Sequence, residues 1–140
     1  MVQKIKVVWL CYFSNEEVQK YLKPLKPVNE YAPWIKNLIP LFENSNEIDL
    51  YIIAPHRWLM KTKHFENAGI HYYFIKTGMP IIGRQWPRFF RLDLWTDYSF
   101  WKRKVRNIVD KINPDIIHLH GAENPFSSTV NQFKEKYPIL

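Results

Sequence analysis

The stretch that decides the fold is PDIIHLHGAENP, residues 114–125. Its first part, DIIHLH (115–120), is apolar and short, which predicts a buried strand. The strand runs out into histidine, glycine, glutamate and asparagine before Pro125. Polar side chains just after a buried strand are typical of the carboxyl edge of an α/β sheet, where such sheets bind their ligands.

Other apolar segments predict further strands. KIKVVWLCYF (4–13) lacks strict alternation, as expected of a strand buried on both faces, and EIDLYIIAP (47–55) has the same character. Residues 60–76 predict a β-hairpin that turns at 67–69, where Asn and Gly favour a turn. A last apolar run begins at 138–140.

Three segments predict helices. In 33–45 the proline at position 33 suits a first helical turn, whereas Pro40 removes a backbone donor and predicts a kink. Residues 94–113 carry apolar side chains at spacings of three and four, the clearest helical pattern in the chain. Residues 125–137 predict a shorter helix that starts at a proline.

The two remaining segments predict loops. Residues 14–32 are polar without a clear period, and residues 77–93 mix Pro, Gly and Arg with bulky aromatic side chains. Strands and helices in this order predict an α/β fold: an open, mostly parallel Rossmann-like sheet flanked by helices, with an inserted β-hairpin.

Composition narrows the class of protein. The 140 residues suffice for one domain with a core, and their formal net charge is +7. Cys11 is the only cysteine, so the chain forms no internal disulfide, and the apolar run around it predicts a small core residue. We identify no membrane span and no convincing signal peptide, so we expect a cytoplasmic protein.

The candidate site lies in the loops that follow the first strand and the 115–120 strand. If these strands are neighbours, both loops face one crevice. The candidate substrate-binding residues are Ser14, Asn15, His120, Gly121, Glu123 and Asn124. The sequence identifies no catalytic residue among them.

Each candidate also has an ordinary structural interpretation. His118 and His120 point to one face of a strand, where His118 is expected to pack in the sheet and His120 to face a ligand as an acid, a base or a donor to an anion. Ser14, Asn15 and Asn124 are typical helix caps. Two histidines lack the further ligands that zinc requires, so we expect no metal site.

Several known nucleotide-site and catalytic motifs are absent from the sequence. It contains no Walker A loop, no GxGxxG and no GxSxG. The basic run KRKVR (102–106), with Arg84, Arg88 and Arg91, is either a solvated face or a surface for anionic lipid or nucleic acid. The aromatic side chains between these arginines suit sugar or lipid contacts as well as simple packing.

KIKVVWLCYF, PWIKNLIPLF, KHFENAGIHYYFI and above all PDIIHLHGAEN resemble the N-terminal domain of family 4 glycosyltransferases. The resemblance covers nearly the whole chain. It implies a retaining enzyme of the GT-B architecture, with two Rossmann-like domains facing a cleft. It also implies an acceptor held mainly by the first domain, a nucleotide-sugar held mainly by a Glu-x7-Glu pair of the second, and no cofactor.

The chain departs from this family in two ways. Many relatives carry glycines after the first strand, whereas the loop here begins FSNEEV, so direct phosphate contact by this loop is not expected. The loop is also long, which suggests a particular acceptor or a mobile lid. Residues 1–140 resemble only an incomplete acceptor-side domain, and we expect a truncated first half of such an enzyme.

From these observations we expect the acceptor-binding part of an enzyme that moves a sugar from a nucleotide-sugar to a glycan or lipid-linked acceptor with retention. Contact with the inner face of a membrane is compatible with the basic residues, and no nucleic-acid partner is expected. The alternative is a non-catalytic α/β module that binds an anionic ligand or a partner protein.

Overall fold

The computed structural model describes residues 3–26, 32–77, 79, 86–121 and 126–140, and has the α/β architecture that the sequence predicts. Its centre is a five-stranded mixed sheet in the order β3-β4-β2-β1-β5. The strands are β1 (Ile5–Cys11), β2 (Ile48–His56), β3 (Lys63–Asn67), β4 (Ile70–Lys76) and β5 (Ile116–His120).

Four of the five strands run in parallel. β1 pairs with β2 on one side and with β5 on the other, and β4 pairs with β2. Only β3 is antiparallel; it extends the sheet beyond β4 through a turn at Ala68 and Gly69, both of which have positive φ. The chain proceeds from β1 outward to β4 and then returns to the far side of β1, so the strand order reverses between β1 and β5.

Helices cover both faces of this sheet. They are α1 (Glu16–Leu22), α2 (Pro33–Leu38), α3 (Leu92–Trp95), α4 (Ser99–Ile112) and α5 (Phe126–Val130). One core joins α1 and α2 to the sheet face that carries Trp9 and Ile52, and the other joins α4 and α5 to the face that carries Val8 and Ile53. Successive β1 residues therefore enter opposite cores, which explains the near-continuous apolar run of this strand.

The predicted helices are interrupted where the backbone chemistry requires it. At Ile39–Leu41 the α2 helix passes into a 3-10 helix that contains Pro40, since proline cannot donate the α-helical bond. The predicted 94–113 helix is divided into α3 and α4, because Asp97 and Tyr98 adopt positive φ between them. After α5, residues 131–136 form turns rather than a longer helix.

The prediction that 14–32 is a loop without regular structure is wrong for its first third. Residues 16–22 form α1, whose only buried side chains are Val18 and Leu22. With just two core positions the helix shows little periodicity in sequence. Its start is fixed by Asn15, whose Oδ1 accepts a hydrogen bond from the backbone N–H of Val18 at 2.8 Å.

Loss of this cap should cost stability. We expect Asn15→Ala to lower the free energy of unfolding by about 1 kcal/mol, because the N–H of Val18 loses its partner at the first turn. Urea denaturation followed by circular dichroism measures the change. Asn107→Ala, at an exposed position within α4, is the matched control and should not destabilise the protein. Equal losses in both variants would contradict the assignment of Asn15 as the cap.

Residues 138–140 lie beside β5. Ile139 forms a parallel bridge with Ile117, and the backbone N–H of Leu119 donates to the carbonyl of Leu140 at 2.9 Å. The last described residues thus continue the parallel part of the sheet on the outer side of β5. Within the described ranges, no helix is long and apolar enough to cross a membrane.

Candidate functional site

The carboxyl ends of the four parallel strands meet at one edge of the sheet. The last residues of these strands are Cys11 in β1, His56 in β2, Lys76 in β4 and His120 in β5. Strand alternation places all four on the face that carries Trp9. Neighbouring strands are about 4.8 Å apart, so this row spans about 14 Å from β4 to β5. We call these four residues the carboxyl-edge row.

An aromatic stack surrounds His120 at the end of β5. The rings of His118 and His120 are stacked with their centroids 3.9 Å apart, which confirms that the two side chains share a face. Trp9, on the neighbouring strand, packs edge-on against both, at 4.6 Å from His120 and 6.3 Å from His118. Phe42 contacts the other side of Trp9 at 5.0 Å. The imidazole of His120 is therefore held in place by packing.

Burial keeps His120 uncharged at neutral pH. Desolvation first, and the neighbouring His118 second, lower the pKa of His120 to about 4. Its Nε2 is buried and has no hydrogen-bond partner among the described residues. A neutral imidazole has one donor and one acceptor nitrogen, so it suits a hydroxyl group better than an anion. This argues against the interpretation of His120 as a cationic donor to an anion.

Ser14 and Asn15 lie in the loop that leaves β1, and β1 is the direct neighbour of β5. The condition for a shared crevice is therefore met. Both residues are buried and bonded within their own segment: Asn15 caps α1, and Ser14 Oγ accepts a hydrogen bond from Gln19 Nε2 at 3.3 Å. These hydrogen bonds hold the loop after β1 in its conformation and are not directed at a ligand.

The loop after β5 is described only at its start. Gly121 is exposed and has a φ of +92°, a backbone conformation that favours glycine. The chain can therefore turn away directly after His120 without strain. Glu123 and Asn124, the other two residues predicted in this loop, lie outside the described residues.

His56 is a candidate that sequence reasoning missed. It is only 4 % exposed, and its Nδ1 accepts a hydrogen bond from the backbone N–H of Trp58 at 3.2 Å. Its Nε2 is buried without a partner in the described part of the chain, and burial, with a smaller effect of Arg57, lowers the pKa of His56 to about 4. The predicted strand ended at residue 55, one residue before His56; extending it would have placed His56 at the edge.

Lys76 is a second residue of the carboxyl-edge row that the sequence analysis did not identify as a candidate, although it was the last residue of the predicted hairpin. It is 8 % exposed, and its Nζ donates to the carbonyl oxygen of Met60 at 3.1 Å. Burial, and then the charge of Lys104, lower the pKa of Lys76. The sequence signal available was its position as the last residue of a strand; the pairing of Lys76 with His56 follows only from the fold.

Metal-ligating groups do not cluster in this structure. Across the described ranges, no three His, Cys, Asp or Glu side chains lie close enough together to hold a metal ion. Cys11 is fully buried, and desolvation raises the pKa of its thiol. The thiol is thus protonated and packed, as expected of a small core residue.

Comparison with known proteins identifies no relative: no protein-family model, no curated protein and no solved structure matches the chain. The resemblance to family 4 glycosyltransferases therefore stays a prediction.

Proposed function

We propose that this chain is the acceptor-side domain of a retaining glycosyltransferase of the GT-B architecture, and that the carboxyl-edge row borders its acceptor site. The observation that carries the proposal is the position of His120 at the point where the strand order reverses between β1 and β5. Ligands of open α/β sheets bind in the crevice at such a point.

The chemistry of this edge supports a hydroxyl-bearing ligand. A sugar hydroxyl both donates and accepts hydrogen bonds, and the neutral imidazole of His120 offers the complementary pair of nitrogens. The Nε2 of His120, which has no partner among the described residues, would form a hydrogen bond with the ligand. This bond would remove the free-energy cost of a buried polar atom without a partner. Glu123 and Asn124, which follow in the sequence, would supply further groups for sugar hydroxyls.

The loop after β1 supports a proposal in which the nucleotide-sugar binds mainly to a second domain. The loop after β1 has no glycine, and its Ser14 and Asn15 make local bonds, so this loop is poorly suited to wrap a phosphate. In the proposed enzyme a nucleotide-sugar binds mainly to a further domain. Transfer with retention, and the Glu-x7-Glu pair, come to this proposal from the family resemblance alone.

Ligand titration by nuclear magnetic resonance tests the proposal on the chain as it stands. We expect methyl glycosides and disaccharides to shift the imidazole signals of His120 and the amide of Gly121, with dissociation constants in the millimolar range typical of small acceptors. His120→Phe, which lacks the imidazole, should abolish the shift of the Gly121 amide. His64→Phe, which changes an exposed histidine on β3, should preserve both the imidazole shifts and the amide shift.

UDP-glucose provides the opposing measurement. Micromolar binding of this nucleotide-sugar by the 140-residue chain would contradict the acceptor-side assignment. Saccharide-induced shifts confined to residues away from the carboxyl edge would contradict it as well. Either result would leave the fold intact but remove the proposed site.

A second candidate is a non-catalytic α/β module that binds an anionic ligand or partner protein. The net charge of +7 and the placement of Lys76 in the carboxyl-edge row favour it. Titration with inorganic phosphate and UDP distinguishes the two proposals. A module of this kind should bind these anions tightly and should not bind uncharged sugars.

A further inference from the structure

Large apolar side chains are concentrated at the surface between residues 89 and 100. Of the twelve large hydrophobic residues that are exposed in the described part of the chain, five lie in this short segment. Three of them expose most of their surface to solvent: Phe89 is 89 % exposed, Trp95 72 % and Phe100 66 %. The five residues, which we call the aromatic surface, are Phe89, Phe90, Leu94, Trp95 and Phe100.

Part of the aromatic surface is held together by ring contacts. Phe90 lies 5.8 Å from Trp86 and 5.6 Å from Trp95, measured between ring centroids. Its neighbour Phe89 is nevertheless almost fully exposed. Rings that pack on one another yet remain in water indicate a surface that another apolar phase covers.

Positive charge accompanies these rings. Arg103 and Lys104 lie three and four residues after Phe100 in α4, so all three residues share its exposed side. The acidic residues of the segment are already engaged, Asp93 by Arg91 and Asp97 by Lys102. Neither Arg103 nor Lys104 forms an ion pair within the described ranges, so both charges are available to a partner.

The start of α4 lies at the carboxyl edge of the sheet. Trp101 contacts Phe126 at 4.7 Å, and Phe126 contacts Tyr12, directly after β1, at 5.4 Å. The far end of α4 lies at the opposite edge, where Lys6 Nζ donates to the carbonyl of Ile112 at 3.2 Å. Phe100, beside Trp101, therefore lies at the same edge of the sheet as the carboxyl-edge row, although α4 covers the opposite face of the sheet.

We propose that the aromatic surface, together with Arg103, Lys104 and the exposed Arg88 next to Phe89, docks this domain onto an anionic lipid surface. Phenylalanine and tryptophan enter the boundary between headgroups and acyl chains, and arginine and lysine pair with anionic headgroups at the same depth. Protein–protein interfaces are also rich in aromatic residues and arginine, but they are depleted of lysine, whereas Lys104 lies one helical turn from Phe100. A nucleic acid would leave most of the apolar area in water.

Vesicle binding does not depend on any sugar chemistry. It can therefore hold or fail independently of the proposed glycosyl transfer. The further suggestion that the acceptor is lipid-linked rests on the proposed function, because it needs both the docking surface and an acceptor site at the neighbouring sheet edge.

Flotation of the 140-residue chain with vesicles tests the docking surface. We expect the chain to float with phosphatidylcholine vesicles that contain about one-third phosphatidylglycerol, and to bind at least about tenfold more weakly to pure phosphatidylcholine. The double substitution F89S/W95S should lower the affinity for anionic vesicles at least about tenfold. Trp34→Ser, at a 59 % exposed tryptophan on α2, is the matched control and should bind normally.

A second pair of variants measures the contribution of the positive charges to vesicle binding. R103Q/K104Q should weaken binding to anionic vesicles several-fold, whereas K20Q/K61Q, which removes the same charge from exposed positions elsewhere, should have a smaller effect. Circular dichroism of all variants checks that the fold is retained. Folded F89S/W95S that binds as well as the unmodified chain would overturn the proposal. A single-stranded oligonucleotide that binds more tightly than the vesicles would overturn it too.

Discussion

Trp9→Ala should lower the free energy of unfolding by about 3–5 kcal/mol, the range measured for removal of large aromatic side chains from protein cores. Trp9 is 3 % exposed in β1, an interior strand of the sheet, and its ring contacts both Phe42 and His120. Alanine would leave a cavity that the rigid sheet cannot close, because β1 is bonded to strands on both sides.

The same substitution should alter the candidate site. Without the indole ring, water reaches His120, and the desolvation that lowers its pKa is reduced. We therefore expect the pKa of His120 to rise from about 4 toward the ordinary histidine value in Trp9→Ala. Urea denaturation measures the stability, and the imidazole proton shifts of His120 as a function of pH measure the pKa.

Two variants separate packing from general destabilisation. Trp9→Phe keeps an edge-on ring and should lose less than half as much stability as Trp9→Ala. Trp34→Ala, at an exposed tryptophan of α2, should change stability by no more than about 0.5 kcal/mol. A pKa of His120 that stays near 4 in a folded Trp9→Ala variant would show that the indole does not control its environment.

Much of the sheet could be predicted from the sequence because a strand buried on both faces leaves a mostly apolar run without strict alternation. β1, β2 and β5 each produce such a run, and their alternation with helices predicts parallel pairing. Which strands are neighbours follows from the tertiary fold, since no local pattern encodes it. The prediction therefore had to make the shared crevice conditional on the pairing of β1 with β5.

Elements with little local signal escaped prediction. α1 buries only two side chains, and the break before α4 depends on positive φ at Asp97 and Tyr98, which are not glycines. The predicted second strand ended at Pro55, one residue before His56, the last residue of β2. Because of this one-residue difference, His56, the most buried histidine of the carboxyl edge, was not identified as a candidate.

The candidate site was predictable in position but not in electrostatics. Two-residue spacing in a strand places His118 and His120 on one face, and the ring stack confirms this. The lowered pKa of His120 depends on its burial beside Trp9, which comes from a different strand and lies far away in sequence. Burial of a polar group by residues distant in sequence cannot be deduced from its own neighbours.

Acidification should destabilise the protein well above the pH at which its carboxylates titrate. The pKa values of His56 and His120 are lowered from 6.5 to about 4 in the folded state, so the unfolded chain binds more protons between these values. The free energy of unfolding is highest above pH 6.5 and falls as the pH decreases toward 4. His120 is only half-buried and partly screened, so we expect a loss of about 2–4 kcal/mol for the two groups together.

Urea denaturation at a series of pH values between 7.5 and 4 measures this loss, with H56F/H120F as the decisive variant. Phenylalanine fills the same buried space and takes up no proton, so the double variant should lose much less stability across the window. His64→Phe is the control, because the exposed His64 ring of β3 makes a smaller contribution to the proton balance. Asp110, whose pKa is lowered chiefly by its hydrogen bond from Lys136, acts below the window, since its carboxyl titrates under the ordinary value of 3.8. Equal slopes in the unmodified chain and in H56F/H120F would show that neither buried imidazole controls the acid response, and would remove the electrostatic argument for a neutral His120 at the sheet edge.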